Sequence, residues 1–197
     1  DDVESRGLGD VYKRQEQKIL FLTELLLGTR RGETIALRWN DINFETNEIT
    51  IDSEILYAKS VSVKEQKHTK KGVYEQDGTK NGKTRIINAP EIYMSIISKY
   101  KTYWDKRFGK IAQDSFLILN SDGNHFHPDT PSGWLKRFYA KHKELKYLSQ
   151  HSYRHCNVSL CIAAGVPVSL VSYNVGHSDV STTVHTKNRL YKNKKIK

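Results

Sequence analysis

The sequence predicts an α+β fold, mainly helical, with a small three-stranded antiparallel sheet on one edge. Three observations predict it. Apolar residues recur at helical spacing in several segments separated by Gly, Pro or Ser/Asp. Two short apolar runs, Ile42–Phe44 and Ile49–Ile51, flank the polar turn Glu45-Thr46-Asn47-Glu48, which reads as a hairpin. Arg85-Ile86-Ile87 then reads as a returning strand after a polar stretch.

Taken in order, Gln17 to Leu27 is mostly apolar and reads as a buried helix. Gly28 breaks it, and a second short helix follows through Ile35-Ala36-Leu37. After the hairpin, Lys59 to Lys83 is polar and rich in Lys, Gly and Gln, an exposed excursion between strands. Pro90 opens a helix that runs to about Arg107, with Ile92, Ile96, Ile97 and Tyr100 on one face. Phe116–Leu119 is short and apolar and precedes the loop Ser121–Asn124. Asp129-Thr130 caps a helix carrying Trp134, Leu135, Phe138 and Tyr139. Ser149 begins a helix to about Ala164, Gly165 ends it, and Pro167 starts the next, through Tyr173. Ser178-Asp179 caps a last helix, and the tail from Lys187 on holds six bases and no acid.

The 197 residues allow one ordinary domain or two small ones with a sizeable core. A content of 37% hydrophobic and 10% aromatic residues excludes a disordered polycation. The longest apolar runs, Leu25–Leu27 and Phe116–Leu119, fall far short of the ~18 residues of a membrane span. No signal peptide is visible. Cys156 and Cys161 lie five apart in one predicted helix, a poor geometry for a disulfide, and a reducing cytoplasm fits. The 32 Lys+Arg against 22 Asp+Glu give a net charge of +10. That excess points to a polyanion, most simply nucleic acid; the alternative is a generically basic surface.

Residues 1–15 stand apart. Ser5 to Gln15 has neither helical nor strand periodicity and resembles the in-frame translation of a sequencing-library adapter. They read as a non-native leader, which leaves 16–197 as the domain proper. Setting aside their three bases and four acids leaves 29 bases and 18 acids, a net charge of +11.

Three segments carry chemistry. In Gly28-Thr29-Arg30-Arg31-Gly32-Glu33, an arginine sits at the junction of two helices beside an apolar core. It is costly there unless it meets an anion, and its planar fork suits two phosphate oxygens. The alternative is a brace of the fold, with Arg30 paired to Glu33 or Asp41. In His151-Ser152-Tyr153-Arg154-His155, positions i, i+3 and i+4 share a helix face, so His151, Arg154 and His155 act together. Such a face supplies a phosphate clamp and a proton donor; its alternatives are a polar solvent face and a zinc pair. No third or fourth ligand pattern follows for zinc. In Val175-Gly176-His177-Ser178-Asp179, the glycine lets His177 sit at a helix junction, and Ala164–Ser172 upstream looks faintly like a helix-turn-helix.

In this order, GxRxGE with LRWxDI, then HxxRH, then GxxxxxVSxxxGHSDxSTT resemble the tyrosine recombinases. The likeness is to phage and conjugative-transposon integrases of low-GC Gram-positive bacteria, and it covers essentially all of 16–197. It implies the catalytic domain of that family. Arg30 and Arg154 then match the two arginines that clamp the scissile phosphate. Lys80 matches the strand-turn lysine that protonates the leaving 5′-oxygen, with Lys83 a less suitable substitute. His151 matches an acid/base histidine, and His177 one that contacts phosphate and orients the nucleophile. Arg31, Lys83, Lys136, Lys187 and Arg189 are further DNA-contact candidates.

The chain departs from the family at the nucleophile. The expected tyrosine position, ten residues after His177, is Lys187, which cannot form a phosphotyrosyl link. Tyr191 lies four residues on, ~6 Å further along a helix, and reaches the phosphate only if that segment moves. Tyr153 stands where leucine is usual, and Cys156 where threonine is usual.

The resemblance implies a DNA strand transferase working without metal or cofactor, here impaired by Lys187. The implied partners are duplex DNA at attachment sites and, in full-length relatives, a tetrameric synapse; no membrane is involved. The implied location is the bacterial cytoplasm, at the nucleoid. Upstream core-binding and arm domains are expected to be absent, so the helix 17–27 is expected to expose apolar surface. The rival reading is a non-catalytic DNA-binding protein using 166–175 as a helix-turn-helix. A type IB topoisomerase shares the chemistry, but the LRWxDI and GHSDxSTT segments favour integrases.

Overall fold

The computed structural model describes residues 2–58, 72–77 and 84–186. Its elements run α1 (Asp2–Leu27), α2 (Arg31–Ala36), β1 (Ile42–Asn43), β2 (Glu48–Ile51), β3 (Ser53–Ala58), β4 (Gly72–Asp77), β5 (Arg85–Asn88), α3 (Glu91–Phe108), α4 (Thr130–Lys141), α5 (Gln150–Ala163) and α6 (Val168–Val175). Residues 180–186 are helical again. The mainly helical α+β class and the three-stranded sheet are as the sequence predicts. The sheet is antiparallel with order β1-β2-β5, and Ile49 pairs both Ile42 and Ile87.

The main core forms where α1, α2, the sheet and α3 meet. Leu20, Ile35, Ile49, Ile51, Tyr93 and Ile97 are fully enclosed there. Each such side chain contributes roughly 1.5–3 kcal/mol by leaving water. A smaller core of Val158, Ile162, Val171 and Val175 joins α5 to α6. The apolar residues of 17–27 are therefore covered, contrary to expectation: Ile19, Leu20 and Leu27 are buried, and Phe21 and Leu26 pack on the same core.

Three local expectations need correction. The first helix begins at Asp2 rather than near Gln17, so it includes residues read as an unpatterned leader. Helix growth is cheap once nucleated, and no proline lies in this stretch to stop it. A second hairpin, β3–β4, was not anticipated; β4 falls inside the polar stretch 59–83 and pairs from Ser53↔Asp77 to Ala58↔Gly72. Its strand character comes from pairing rather than from its own polar sequence. Asp129 does not cap α4 with its side chain; it pairs with Arg31 at 3.2 Å instead. Asp179 does cap: its carboxylate accepts the Ser181 amide at 2.8 Å.

Two glycines fix how the first helices meet the rest. A Cβ at Gly32 would come within 2.7 Å of the Ile55 carbonyl, so β3 lies directly on α2. Gly28 has φ +67°, and a Cβ there would meet Asn157 Oδ1 at 2.6 Å and Val175 at 2.8 Å. It turns the chain between α1 and α2 while α5 and α6 press against it. Gly28→Ala is accordingly expected to cost about 2 kcal/mol or more, from strained backbone and crowding together. A urea denaturation midpoint unchanged from the parent chain would refute the crowding.

Candidate functional site

Glu33 lies in the first turn of α2 and is buried. Its Oε1 accepts from Arg30 Nη1 at 2.7 Å and Arg85 Nη1 at 3.1 Å. Its Oε2 accepts from the Arg30 amide and from Arg85 Nη2, both at 2.7 Å. Burial pushes this carboxyl's pKa up, but the hydrogen bonds and charges of Arg85 and then Arg30 outweigh that and hold it below the usual range. The brace reading of Arg30 with Glu33 is therefore correct as far as it goes; the partner is not Asp41, which accepts the Arg38 amide.

The two arginines also seize the end of α6. Arg30 Nη2 donates to the Gly176 carbonyl at 2.6 Å, and Arg85 Nε donates to the Asn174 carbonyl at 2.8 Å. These carbonyls would otherwise lack helical partners, and cations suit a helix C-terminus. Gly176 adopts φ +64°, and a Cβ there would sit 3.0 Å from Arg85 Nη1. His177 follows at once. Its Nδ1 pairs with Thr183 Oγ1 at 2.8 Å, which fixes the ring against the helix over 180–186.

Arg154 enters from α5. It is only 4% exposed, and Nη1 donates to the Gly28 carbonyl at 2.9 Å, its one hydrogen bond among the described residues. Burial, then the neighbouring charge of Arg30, pushes its pKa down to about 9. The same cations act on the histidines. His177 is pushed down to about 4 by burial and then by Arg154 and Arg30. His151 is lowered by burial, then by His155, Arg154 and Arg30. The rings of His151 and His155 meet edge to face with centroids 4.4 Å apart. Two buried-edge guanidiniums and two histidines kept neutral at pH 7 thus share one field with too little negative charge. Such a field favours an anion.

Arg30, His151, Arg154 and His177 lie within electrostatic reach of one another. Arg31 is exposed on α2 and paired to Asp129; Lys136 is exposed on α4. Lys80, Lys83, Lys187, Arg189 and Tyr191 lie outside the described residues. Arg85 was missed as part of the cluster. The signal was its alternation with Ile86 in a strand: Arg85 and Ile87 face inward, and an inward arginine needs an acid. Among the described residues, no three His, Cys, Asp or Glu side chains converge as a metal site. No helix among them is long and apolar enough to cross a membrane.

The phage integrase family model matches residues 10–193. The chain belongs to the phage integrase family. Its relatives include a XerC-like tyrosine recombinase of Caldanaerobacter subterraneus, 26% identical over 93% of this chain and 48% of the relative. The ICEBs1 integrase of Bacillus subtilis is 23% identical over 90% of this chain and 46% of its own length. The chain thus spans about half the length of these curated relatives. Among solved structures, the Tn1549 transposon integrase in complex with a circular intermediate DNA superposes with a TM-score of 0.68. It is 22% identical, over 89% of this chain and 55% of that one. XerA recombinase gives a TM-score of 0.63 at 16% identity. These likenesses place the chain in the tyrosine-recombinase catalytic fold.

Glu33 ties α2 to β5 through Arg85, which makes it a sharp test. Glu33→Gln leaves Arg85 buried without its ion partner and should destabilise by about 3–5 kcal/mol. The urea midpoint should fall accordingly; a loss below 1 kcal/mol would mean the cluster rearranges at little cost.

Proposed function

We propose that this chain is the catalytic domain of a site-specific DNA recombinase whose cation cluster holds one scissile phosphate. The observation that carries the reading is Arg154, nearly buried beside Arg30 with one carbonyl as its described partner. A phosphate would supply the missing negative charge and accept bidentate hydrogen bonds, each contributing roughly 1.5–3 kcal/mol. The Tn1549 and lambda integrase structures are described as DNA complexes, which supports duplex DNA as the partner.

In this reading a tyrosine hydroxyl attacks the phosphorus, a 3′-phosphotyrosyl bond forms, and the 5′-oxygen leaves with a proton from Lys80. Arg30 and Arg154 neutralise charge on the non-bridging oxygens, and His151 and His177 handle protons and orientation. Neutral histidines at pH 7 suit that role, since each can accept a proton. The residue at the nucleophile's position is Lys187, so this chain binds DNA and cleaves poorly or not at all. Arg31, Lys83, Lys136, Lys187 and Arg189 add backbone contacts. The assembled protein works as a tetramer on attachment sites in the bacterial cytoplasm, at the nucleoid.

The rival, DNA reading by 166–175, has weaker support. That segment contains neither Lys nor Arg, and Val171, Ser172 and Val175 are buried.

Arg30→Ala and Arg154→Ala should each weaken duplex binding and reduce the slope of log affinity against log salt by about one. Unchanged affinity and slope in both variants would transfer the binding role elsewhere. A nicked suicide duplex should give no covalent protein–DNA adduct with this chain. An adduct that disappears in Tyr191→Phe would overturn the inactivity and make Tyr191 the nucleophile.

A further inference from the structure

Glu24 sits on the buried face of α1, six residues before Arg30, and is 2% exposed. Its Oε1 accepts a hydrogen bond from Gln150 Nε2, and its Oε2 has no hydrogen-bond partner among the described residues. Gln150 is the first residue of α5 and immediately precedes His151. Its other amide atom, Oε1, faces Ser132 Oγ at 3.5 Å, so it also touches α4. Further along α5, Arg154 bonds the Gly28 carbonyl, and Asn157 bonds the Leu25 and Leu26 carbonyls at 2.9 and 3.0 Å. Positions 150, 154 and 157 fall on one helical face. Three side chains of α5 therefore grip the end of α1, and Glu24 holds the one nearest His151.

We propose that Glu24 is a positioning residue: through Gln150 it fixes the first turn of α5 and so sets how His151 stands in the cation cluster. The inference deepens the phosphate-site reading and rests on it for what His151 does. On the α1 side the other bonds of the seam end on the backbone carbonyls of Leu25, Leu26 and Gly28, which carry no titratable group; on the α5 side Arg154 is ionisable, its pKa pushed down to about 9 by burial and then by Arg30. Glu24 is the exception on the α1 side, and burial pushes its pKa up to about 8, against the lowering pull of Gln150 and Arg31. The groups that face it are Gln150 and Tyr153 of α5 and Arg31 of α2. From α3, Tyr93 hydroxyl bonds the adjacent Thr23 instead. Below about pH 8 Glu24 is a neutral acid and the seam is closed. Above it, an unscreened carboxylate appears between α1 and α5, and its second oxygen must find water or Arg31. The seam loosens at the end that carries His151.

The linkage has a definite sign. The folded chain holds the Glu24 proton more tightly than the unfolded chain, whose carboxyl titrates near 4.5. The stabilising contribution is complete below that value and is lost as pH rises toward 8.

The test is the imidazole resonance of His151 in the full 197-residue chain, assigned with His151→Asn and followed by NMR from pH 5 to 9. The parent chain should show its own titration and a second inflection near pH 8. Glu24→Gln, which keeps the hydrogen bond to Gln150 without an ionisable group, should remove the second inflection and leave the first in place. Glu24→Leu, which breaks the bond, should displace the first inflection. Superimposable curves for the parent and Glu24→Gln would overturn the proposal, even if Glu24→Leu failed to fold. A duplex oligonucleotide added at pH 7 separates this from the phosphate reading. If the Glu24 effects hold but DNA leaves the His151 resonance unmoved, positioning stands and the phosphate reading fails.

Discussion

The buried carboxylate of Glu33 is the interaction on which the rest of the site depends. One side chain from a six-residue helix accepts four hydrogen bonds, from the backbone and guanidinium of Arg30 and from both terminal nitrogens of Arg85. Through those arginines it reaches three separate parts of the fold: the α1–α2 turn, strand β5 and the end of α6. Apolar packing alone would let these elements slide by fractions of an ångström. A bidentate ion pair in a low-dielectric interior does not, because each displaced bond exposes an unpaired charge.

From that constraint the placement of the histidines follows. Arg30 and Arg85 close the last carbonyls of α6, so the chain leaves that helix at a fixed angle through left-handed Gly176. His177 is delivered against Thr183, whose bond chooses the ring's orientation. On the opposite side, α5 is pinned to α1 by Gln150, Arg154 and Asn157, so His151 and Arg154 arrive as a unit. The site is assembled from helix ends, where unsatisfied backbone groups already exist to be paired.

Much of this was legible in the sequence, and the reason is local chemistry. The Gly-flanked Arg30, the i, i+3, i+4 grouping of His151, Arg154 and His155, and the glycine before His177 each announce a position by their own spacing. The three strands of the main sheet were legible because Ile42, Ile49 and Ile87 mark its inner face. What escaped was written in pairs far apart in the chain. Arg85 looks like an ordinary strand residue until Glu33 is placed opposite it, 52 residues away. Glu24 and Gln150 are 126 residues apart, and neither has a local pattern that reveals the other. The β4 strand escaped for the same reason, since its hydrogen bonds to β3, not its composition, make it a strand.

The electrostatic balance of the cluster carries the last step. Arg30, Arg85 and Arg154 meet a single buried carboxylate, and Glu33 spends its hydrogen bonds on the first two. If Glu33 also neutralised Arg154, the cluster would be a satisfied structural ion network with nothing left to bind. Instead Arg154 has one carbonyl as its partner among the described residues, burial and then Arg30 raise its acidity, and two histidines are held neutral by burial first and then by the neighbouring cations. That imbalance costs stability in the free protein. In the proposed reading a phosphodiester repairs part of it, since its two non-bridging oxygens can accept from Arg30 and Arg154 together and its single negative charge draws the histidines toward their ordinary acidity. Glu33 therefore has two roles set by one arrangement: it holds Arg30 and Arg85 in place and, by balancing only one of three positive charges, leaves the cluster cationic.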